Sequence, residues 1–219
     1  RVEADSLRAA LLTSISHDLK TPLAAIVGAA GALKDLSPQL DDKAKADLVA
    51  TVLYESERLN RFIANLLDMT KLEAGSIKPN MARHDIGEIV GSVLERARKI
   101  LARHTVEIEI EADLPMRQLD PVLFEQVLFN LLDNAAKYAP PETTIRIESW
   151  QEEDMVKLQV IDEGSGIPPE EIELVFEKFH RAYKEDQVRA GTGLGLAISR
   201  GFIEAMGGTI DAANRSDRP

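Results

Sequence analysis

Apolar residues recur at alternating steps of three and four along the first third of the chain, a pattern typical of helices that pack against other helices. The pattern predicts one helix from about residue 4 to about 36, a break at Ser37-Pro38, and a second helix from about 41 to 73. A hairpin of two such helices cannot bury both apolar stripes by itself. We therefore expect two copies to pair as a C2 homodimer that forms a four-helix bundle.

Beyond Gly75 the pattern changes to alternating apolar and polar residues, which is typical of half-buried strands. Strands are predicted at about 106–110, 145–147, 156–160 and 209–212. Helices are predicted at about 85–103, 121–138, 169–176 and 194–206.

These elements predict a multi-domain chain. An all-α helical hairpin is expected over residues 1–74, followed by a linker over 75–82. An α+β domain is expected over 83–219, with a mixed sheet that carries its helices on one face.

The composition is that of an ordinary globular protein, with 44% hydrophobic and 29% charged residues in a chain of 219. The net charge of −11 argues against nucleic acid or an anionic membrane surface as the main partner. The absence of cysteine excludes disulfides, thiolate chemistry and cysteine-based zinc sites. Because the helical pattern begins at once, with no Met and no cap before it, we expect this chain to be a fragment of a longer protein.

His17 is the first candidate for chemistry. If Leu12, Ile15 and Leu19 belong to the apolar seam, His17 falls outside that seam and points into solvent. Imidazole titrates near neutral pH, so much of it is a neutral nucleophile there, and Asp18 lies beside it. Pro22 removes a backbone donor from the next turn and predicts a kink. The same residues also fit an incidental surface histidine ahead of a proline kink.

The predicted helix at 121–138 places Asn130, Asn134 and Lys137 within a stripe of roughly 60°. Amide oxygens of the two asparagines are suitable ligands for Mg²⁺, and the lysine could meet a phosphate. Two asparagines four residues apart also occur simply as polar residues at the edge of an amphipathic helix. Both interpretations remain open for these residues alone.

A short glycine-containing segment follows the predicted strand at 156–160. Asp162 lies at the end of that strand, where its carboxylate could accept a hydrogen bond from the amine of adenine but would face an acceptor in guanine. Gly164 and Gly166 permit close approach of the backbone to a ligand. The alternative is a tight turn from strand to helix.

A second glycine-rich segment opens the last predicted helix. Its residues are Gly191, Thr192, Gly193, Leu194 and Gly195. Free N–H groups and the positive end of the helix dipole suit this position to phosphate, although a flexible loop is the alternative. The polar run from Glu177 to Ala190 is expected to be a mobile lid, in which Arg181 and Lys184 could reach the γ-phosphate of a nucleotide.

In this order the motifs resemble those of the bacterial sensor histidine kinases of two-component systems, and the resemblance covers nearly the whole chain. The matching boxes are the H box at 16–23, the N box at 125–138, the G1 box at 162–166, the F box at 176–179 and the G2 box at 191–196. More narrowly, the run from His180 to Arg215 is similar to Kdp-type sensors of potassium or turgor stress.

The resemblance implies a HisKA dimerisation hairpin followed by a Bergerat-type ATP-binding domain. That domain would phosphorylate His17 with ATP and Mg²⁺, and the phosphoryl group would pass to an aspartate in the receiver domain of a response regulator. Asp18 would orient the imidazole, and Thr21 would position water for dephosphorylation of the regulator. The resemblance assigns Mg²⁺ to Asn134 with Asn130 assisting, and a place near adenine or ribose to Tyr138.

The family also implies the cytoplasmic portion of an inner-membrane sensor, attached to the membrane only through segments outside this sequence. Family members usually complete the sheet with a further strand, which this sequence does not contain before Pro219, so we expect an exposed sheet edge. Two rival classes remain. A chaperone-like or mismatch-repair ATPase would carry a glutamate base at Asn130 and leave His17 unexplained, whereas a dimeric scaffold would bind nucleotide without transfer.

Overall fold

The computed structural model describes residues 2–180 and 193–215, and all of their side chains except those of residues 2–14, 17 and 18. The chain divides into two compact units, residues 1–68 and residues 69–219. The boundary falls inside the second helix, a few residues before the boundary expected from the sequence. No helix of the described residues has the length and apolar character needed to cross a membrane.

The first unit consists of helix α1 (Val2–Asp35), a short 3-10 turn (Ser37–Gln39) and most of helix α2 (Asp42–Glu73). Asp41 begins α2 as expected, because its Oδ1 accepts a hydrogen bond from the backbone N–H of Ala44 at 2.7 Å. Helix α1 continues through Pro22 as one element, and the proline itself is fully buried.

The apolar seams predicted for these helices are the sides that the unit buries. Ala29 of α1 and Phe62 of α2 are buried, and Ile26 and Leu59 are half-buried. Further apolar residues beside the seams remain exposed in the single chain: Leu23, Val27, Val49, Leu53, Ile63 and Leu67.

The second unit is built on a three-stranded mixed sheet. Strands β2 (Thr105–Ile110), β4 (Thr144–Glu152) and β5 (Met155–Ile161) lie in the order β2-β4-β5, with β2 parallel to β4 and β4 antiparallel to β5. A separate two-stranded sheet pairs β1 (Ala82–His84) with β3 (Arg117–Leu119). The mixed sheet confirms the fold class expected from the sequence.

Helices α3 (Ile86–Ala97) and α4 (Pro121–Tyr138) cover one face of this sheet, and helix α5 (Gly195–Ala205) packs beside α4. The central residues of this core, Ile145, Ile147 and Leu132, are completely buried. On the outer face, Arg146 donates hydrogen bonds to the carboxylates of Glu107 and Glu148, which raise the pKa of Arg146, so that face is a surface of paired charges.

Three predictions about elements need correction. Helix α3 ends at Ala97 and not at 103, because the chain turns there and Leu101 enters the core from a turn. The helix predicted at 169–176 is a pair of 3-10 turns, Pro169–Glu171 and Leu174–Phe176. The strand predicted at 209–212 is irregular, since a strand requires a paired neighbour and β5 pairs only with β4 among the described strands.

Candidate functional site

The start of α4 determines where its polar edge lies. Asp120 caps the helix, because its Oδ1 accepts hydrogen bonds from the N–H groups of Val122 at 3.0 Å and Leu123 at 3.2 Å. Pro121 occupies the first helical position, as the sequence predicted. With the start of the helix defined in this way, its apolar residues face the core, and Asn130, Asn134 and Lys137 lie half-buried along the edge.

Asn130 lies against the beginning of α5. Its Nδ2 donates to the carbonyl of Gly195 at 3.3 Å and to the hydroxyl of Ser199 at 3.4 Å. The fully buried Ser199 in turn donates to the same carbonyl at 2.8 Å. The N-box amide and the glycine-rich helix start are therefore adjacent. Because Nδ2 is directed at α5, the amide oxygen is the atom that remains to meet a cation.

The segment at Asp162 lies against the other end of α4. Oδ1 of Asp162 accepts from the N–H of Gly164 at 2.6 Å, which leaves Oδ2 as the oxygen that would meet an amine. Gly164 is buried, and a Cβ there would lie only 3.1 Å from the carbonyl oxygen of Tyr138. A larger residue would push the turn away from the helix. The Asp162 segment thus packs closely against Tyr138 at a position that favours glycine.

Asn130 and Tyr138 mark two ends of one site on α4. The helical rise of about 1.5 Å per residue separates them by about 12 Å. At one end lies the helix start suited to phosphate, and at the other end lies a carboxylate suited to an amine. Such polarity fits an elongated ligand with a negatively charged end and a heterocyclic amine, as in a nucleoside polyphosphate.

Gly193 is required by a close approach of backbone to backbone. It has φ of +66°, and a Cβ on it would lie 2.7 Å from the carbonyl carbon of Phe179 and 2.9 Å from the carbonyl oxygen of His180. The N–H of Phe179 donates to the carbonyl of Gly193 at 2.9 Å. Phe179, near the start of the predicted lid, is therefore held against the segment that opens α5. The predicted residues Arg181, Lys184, Gly191 and Thr192 lie outside the described residues.

Two predicted site residues have surroundings that narrow their roles. The side chain of Leu194 is completely buried beside Ile198 and Phe202, so only its backbone could face a ligand. The ammonium of Lys137 pairs with the carboxylate of Asp133 one turn earlier and would have to leave that pair to reach a phosphate.

Lys137 and Tyr138 also border a cavity of about 460 Å³. It continues to Arg103, His104, Pro141 and Ser165. The cavity therefore adjoins the Asp162 segment at Ser165.

The predicted H box at 16–23 lies in the first unit, on α1. The side chains of His17 and Asp18 are outside the described part of the structure, and Thr21 is exposed one turn later. Sequence reasoning missed Ser199, which donates to the carbonyl of Gly195, and Asn214, which bonds the backbone of Ile167 after the Asp162 segment. Ser199 lies one helical turn after Gly195, so the helical spacing could have identified it. No local pattern identifies Asn214.

Two family models match this chain. Residues 7–75 match HisKA, the His Kinase A (phospho-acceptor) domain, and residues 119–218 match HATPase_c, the histidine kinase-, DNA gyrase B- and HSP90-like ATPase family. The chain belongs to the sensor histidine kinases. The resemblance inferred from the motifs is confirmed, and the ATPase family makes ATP the expected ligand of the second unit.

Known kinases agree with this family assignment in sequence and in fold. The sensor protein KdpD of Clostridium acetobutylicum is 38% identical over 215 residues, which cover 98% of this chain and 24% of that protein. The histidine kinase AdeS of Acinetobacter baumannii has a TM-score of 0.71 and 27% identity, with 91% of each chain covered. Full-length ShkA in complex with AMPPNP has a TM-score of 0.67 and 25% identity, with 94% of this chain and 43% of ShkA covered. The present chain spans about a quarter of the length of the KdpD relatives it matches.

Proposed function

We propose that this chain is the kinase core of a two-component sensor, which binds ATP with Mg²⁺ along α4 and transfers the γ-phosphoryl group to His17. One observation carries the proposal. The Asn130 amide, the Asp162 segment and the glycine-rich start of α5 converge on one helix. The phospho-acceptor motif lies in the same chain.

The residues of the second unit would bind and orient the nucleotide. Oδ2 of Asp162 accepts a hydrogen bond from the adenine amine, and Tyr138 lies beside the base or ribose. The N–H groups at Gly193 and Gly195 meet the phosphates. Amide oxygens of Asn134 and Asn130 suit Mg²⁺, which neutralises phosphate charge when it is bound.

In the transfer step, Nε2 of His17 forms a bond to the γ-phosphorus while the bond from that phosphorus to the β-γ bridging oxygen breaks. ADP leaves with the electron pair of the broken bond. Asp18 orients the ring and accepts the proton from Nδ1. Because little other covalent chemistry is needed, positioning and charge neutralisation would supply most of the rate.

Incubation with γ-labelled ATP and Mg²⁺ tests this function against its rivals. A histidine kinase gives protein-bound label that is labile in acid and stable in base. An ATPase of the chaperone or mismatch-repair kind gives only free phosphate. A nucleotide-binding scaffold gives neither product, and either of these last two outcomes would refute the proposed transfer.

The partners of the proposed kinase are a second copy of the chain and the receiver domain of a response regulator. The relatives named KdpD extend the proposal to a sensor of potassium or osmotic stress, with this chain as its cytoplasmic part. Inside such a sensor, phosphoryl transfer to the regulator would carry the signal onward.

The exposed apolar residues of α2 support the homodimer. Leu53 is 60% exposed and Leu67 is 54% exposed in the single chain, although both lie beside the buried seam. Light scattering is expected to give about twice the chain mass of 24.1 kDa. Leu53→Glu should weaken the dimer, whereas Thr51→Glu on another face of α2 should not. A monomeric wild-type chain at micromolar concentration would contradict this proposal.

Thr21→Ala should separate the two activities proposed for the H box. Thr21 lies four residues after His17 on α1 and is exposed. Autophosphorylation is expected to be retained, while dephosphorylation of a phosphorylated regulator slows about 10-fold or more. Both rates can be measured on gels with labelled protein. A variant with an unchanged dephosphorylation rate would remove Thr21 from this role, and Thr21→Ser, which keeps the hydroxyl, is the matched control.

A further inference from the structure

Asn214 forms a two-point contact with the backbone of Ile167, 47 residues earlier in the chain. Its Oδ1 accepts from the N–H of Ile167 at 2.8 Å, and its Nδ2 donates to the carbonyl of Ile167 at 2.6 Å. Both hydrogen-bonding groups of the Ile167 backbone are thus satisfied by one side chain. This arrangement resembles the pairing that a neighbouring strand would provide.

Gly166 lies directly against the side chain of Asn214, where a larger residue would clash. It has φ of +80°, and a Cβ on it would lie 2.8 Å from Oδ1 of Asn214. The next residue, Arg215, directs its guanidinium at the carbonyl of Asp162, at 3.5 Å. The pair Asn214-Arg215 therefore contacts the Asp162–Ile167 segment at both of its ends.

The first half of the same segment packs against α4. Gly164 lies against the carbonyl of Tyr138, and Asp162 bonds within the turn to Gly164. The second half, from Gly166 to Ile167, meets Asn214. Without the carboxamide, this half would exchange two protein hydrogen bonds for bonds to water, and the turn that carries Asp162 would lose this support.

We propose that Asn214 is a positioning residue of the nucleotide site: its paired hydrogen bonds to Ile167 hold the Asp162 segment in the shape that selects adenine. The proposal rests on the proposed function of Asp162 as the partner of the adenine amine. Asn214 acts through the backbone of the segment and does not itself meet the nucleotide.

The chemistry of the contact requires a carboxamide. Asparagine offers one donor and one acceptor from the same planar group, which is what the N–H and carbonyl of one residue need. Aspartate keeps the acceptor for the N–H of Ile167 but sets a second oxygen against the carbonyl. Alanine removes both bonds. The expected order of nucleotide affinity is therefore asparagine above aspartate above alanine.

Calorimetric titration with non-hydrolysable analogues of ATP and GTP tests this order. Asn214→Ala is expected to weaken binding of the ATP analogue about 5- to 25-fold, from one to two lost hydrogen bonds, and to narrow the preference for adenine over guanine. Asn214→Asp should fall between alanine and wild type. In autophosphorylation assays, KM for ATP should rise more than kcat falls. Asn80→Ala is the matched control, because Asn80 donates its hydrogen bond to Asp120 from the backbone N–H, which alanine keeps.

Amide hydrogen exchange supplies a readout that needs no nucleotide. Exchange at Ile167 should accelerate in Asn214→Ala and much less in Asn214→Asp, which keeps the acceptor. Equal affinity and selectivity in wild type and Asn214→Ala would overturn the proposal, and so would an unchanged exchange rate at Ile167.

Asp162→Asn distinguishes failure of this inference from failure of the proposed function. If Asp162→Asn weakens binding of the ATP analogue and Asn214→Ala does not, only the role of Asn214 is wrong. If wild type does not bind the analogue, or if Asp162→Asn leaves binding unchanged, the nucleotide site itself is wrong and the inference falls with it.

Discussion

Replacement of His17 by alanine is expected to abolish the acid-labile label completely, because the imidazole is the proposed acceptor and alanine offers no nucleophile. Binding of a non-hydrolysable ATP analogue should remain within about twofold of wild type, since the residues proposed to bind it lie in the second unit. Filter assays with γ-labelled ATP measure the first quantity, and calorimetry measures the second.

The other histidines of the chain provide the control for this variant. The chain has four histidines, and His84→Ala removes one that lies on β1 in the second unit. This control should keep its label. Acid-labile label that persists in His17→Ala would contradict the assignment of the acceptor, and its loss in both variants would show that the loss is not specific to His17.

Replacement of Gly193 by alanine is expected to lower nucleotide affinity at least about 10-fold and to destabilise the second unit by about 2 kcal/mol or more. The φ of +66° is unfavourable for alanine, and the new Cβ would meet backbone atoms of Phe179 and His180 at 2.7–2.9 Å. Backbone atoms cannot move aside as a flexible side chain would. The contact between Phe179 and Gly193 would therefore open, and the start of α5 would shift from Asn130. Calorimetry and urea denaturation followed by Trp150 fluorescence measure the two effects.

Two other glycines separate the causes of this effect. Gly207 has φ of +80° with no atom within 4 Å of an added Cβ, so Gly207→Ala tests backbone strain without a clash. Gly195→Ala adds a Cβ at an ordinary distance of 3.8 Å from the side chain of Asn130. Both variants should bind nucleotide better than Gly193→Ala. Equal binding by Gly193→Ala and wild type would contradict the close approach as a requirement of the site.

Local signals predicted the helices and the central sheet well. Helix α4 begins after Asp120 and ends before Pro140, where a cap, a first-turn proline and a terminal proline mark its limits. The alternating residues of β2, β4 and β5 likewise predicted three strands. One face of β4 is buried and one face of β5 is half-buried, whereas Ile108 of β2 is exposed. In both cases the pattern that predicts the element lies within one continuous stretch of sequence.

Elements that depend on distant partners were predicted less well. Strands β1 and β3 have three residues each, too few for an alternating pattern, and each is a strand because the other pairs with it. The residues at 209–212 have the pattern of a strand but lack strand pairing in the described structure. Strand pairing depends on two segments, and the pattern within one segment does not show whether a partner strand lies beside it.

In the candidate site, too, local patterns were predictable and contacts between distant residues were not. The stripe of Asn130, Asn134 and Lys137 follows from helical geometry alone. The bond of Asn214 to Ile167 joins residues 47 positions apart, and the pairing of Lys137 with Asp133 depends on a side-chain rotamer that periodicity does not determine. Sequence motifs therefore point to the residues proposed to touch the nucleotide more readily than to the residues proposed to position them.

The final position of the γ-phosphoryl group tests the proposed transfer most directly. Trypsin should cleave after Arg8 and Lys20 and release a peptide of residues 9–20, which contains His17 together with Thr13, Ser14 and Ser16. After reaction with ATP that carries heavy oxygen in its γ-phosphoryl group, tandem mass spectrometry of this peptide at neutral pH identifies the acceptor. We predict heavy phosphoryl on His17. Phosphoryl on one of the hydroxyl residues, or free heavy phosphate with an unmodified peptide, would contradict histidine phosphorylation by this chain.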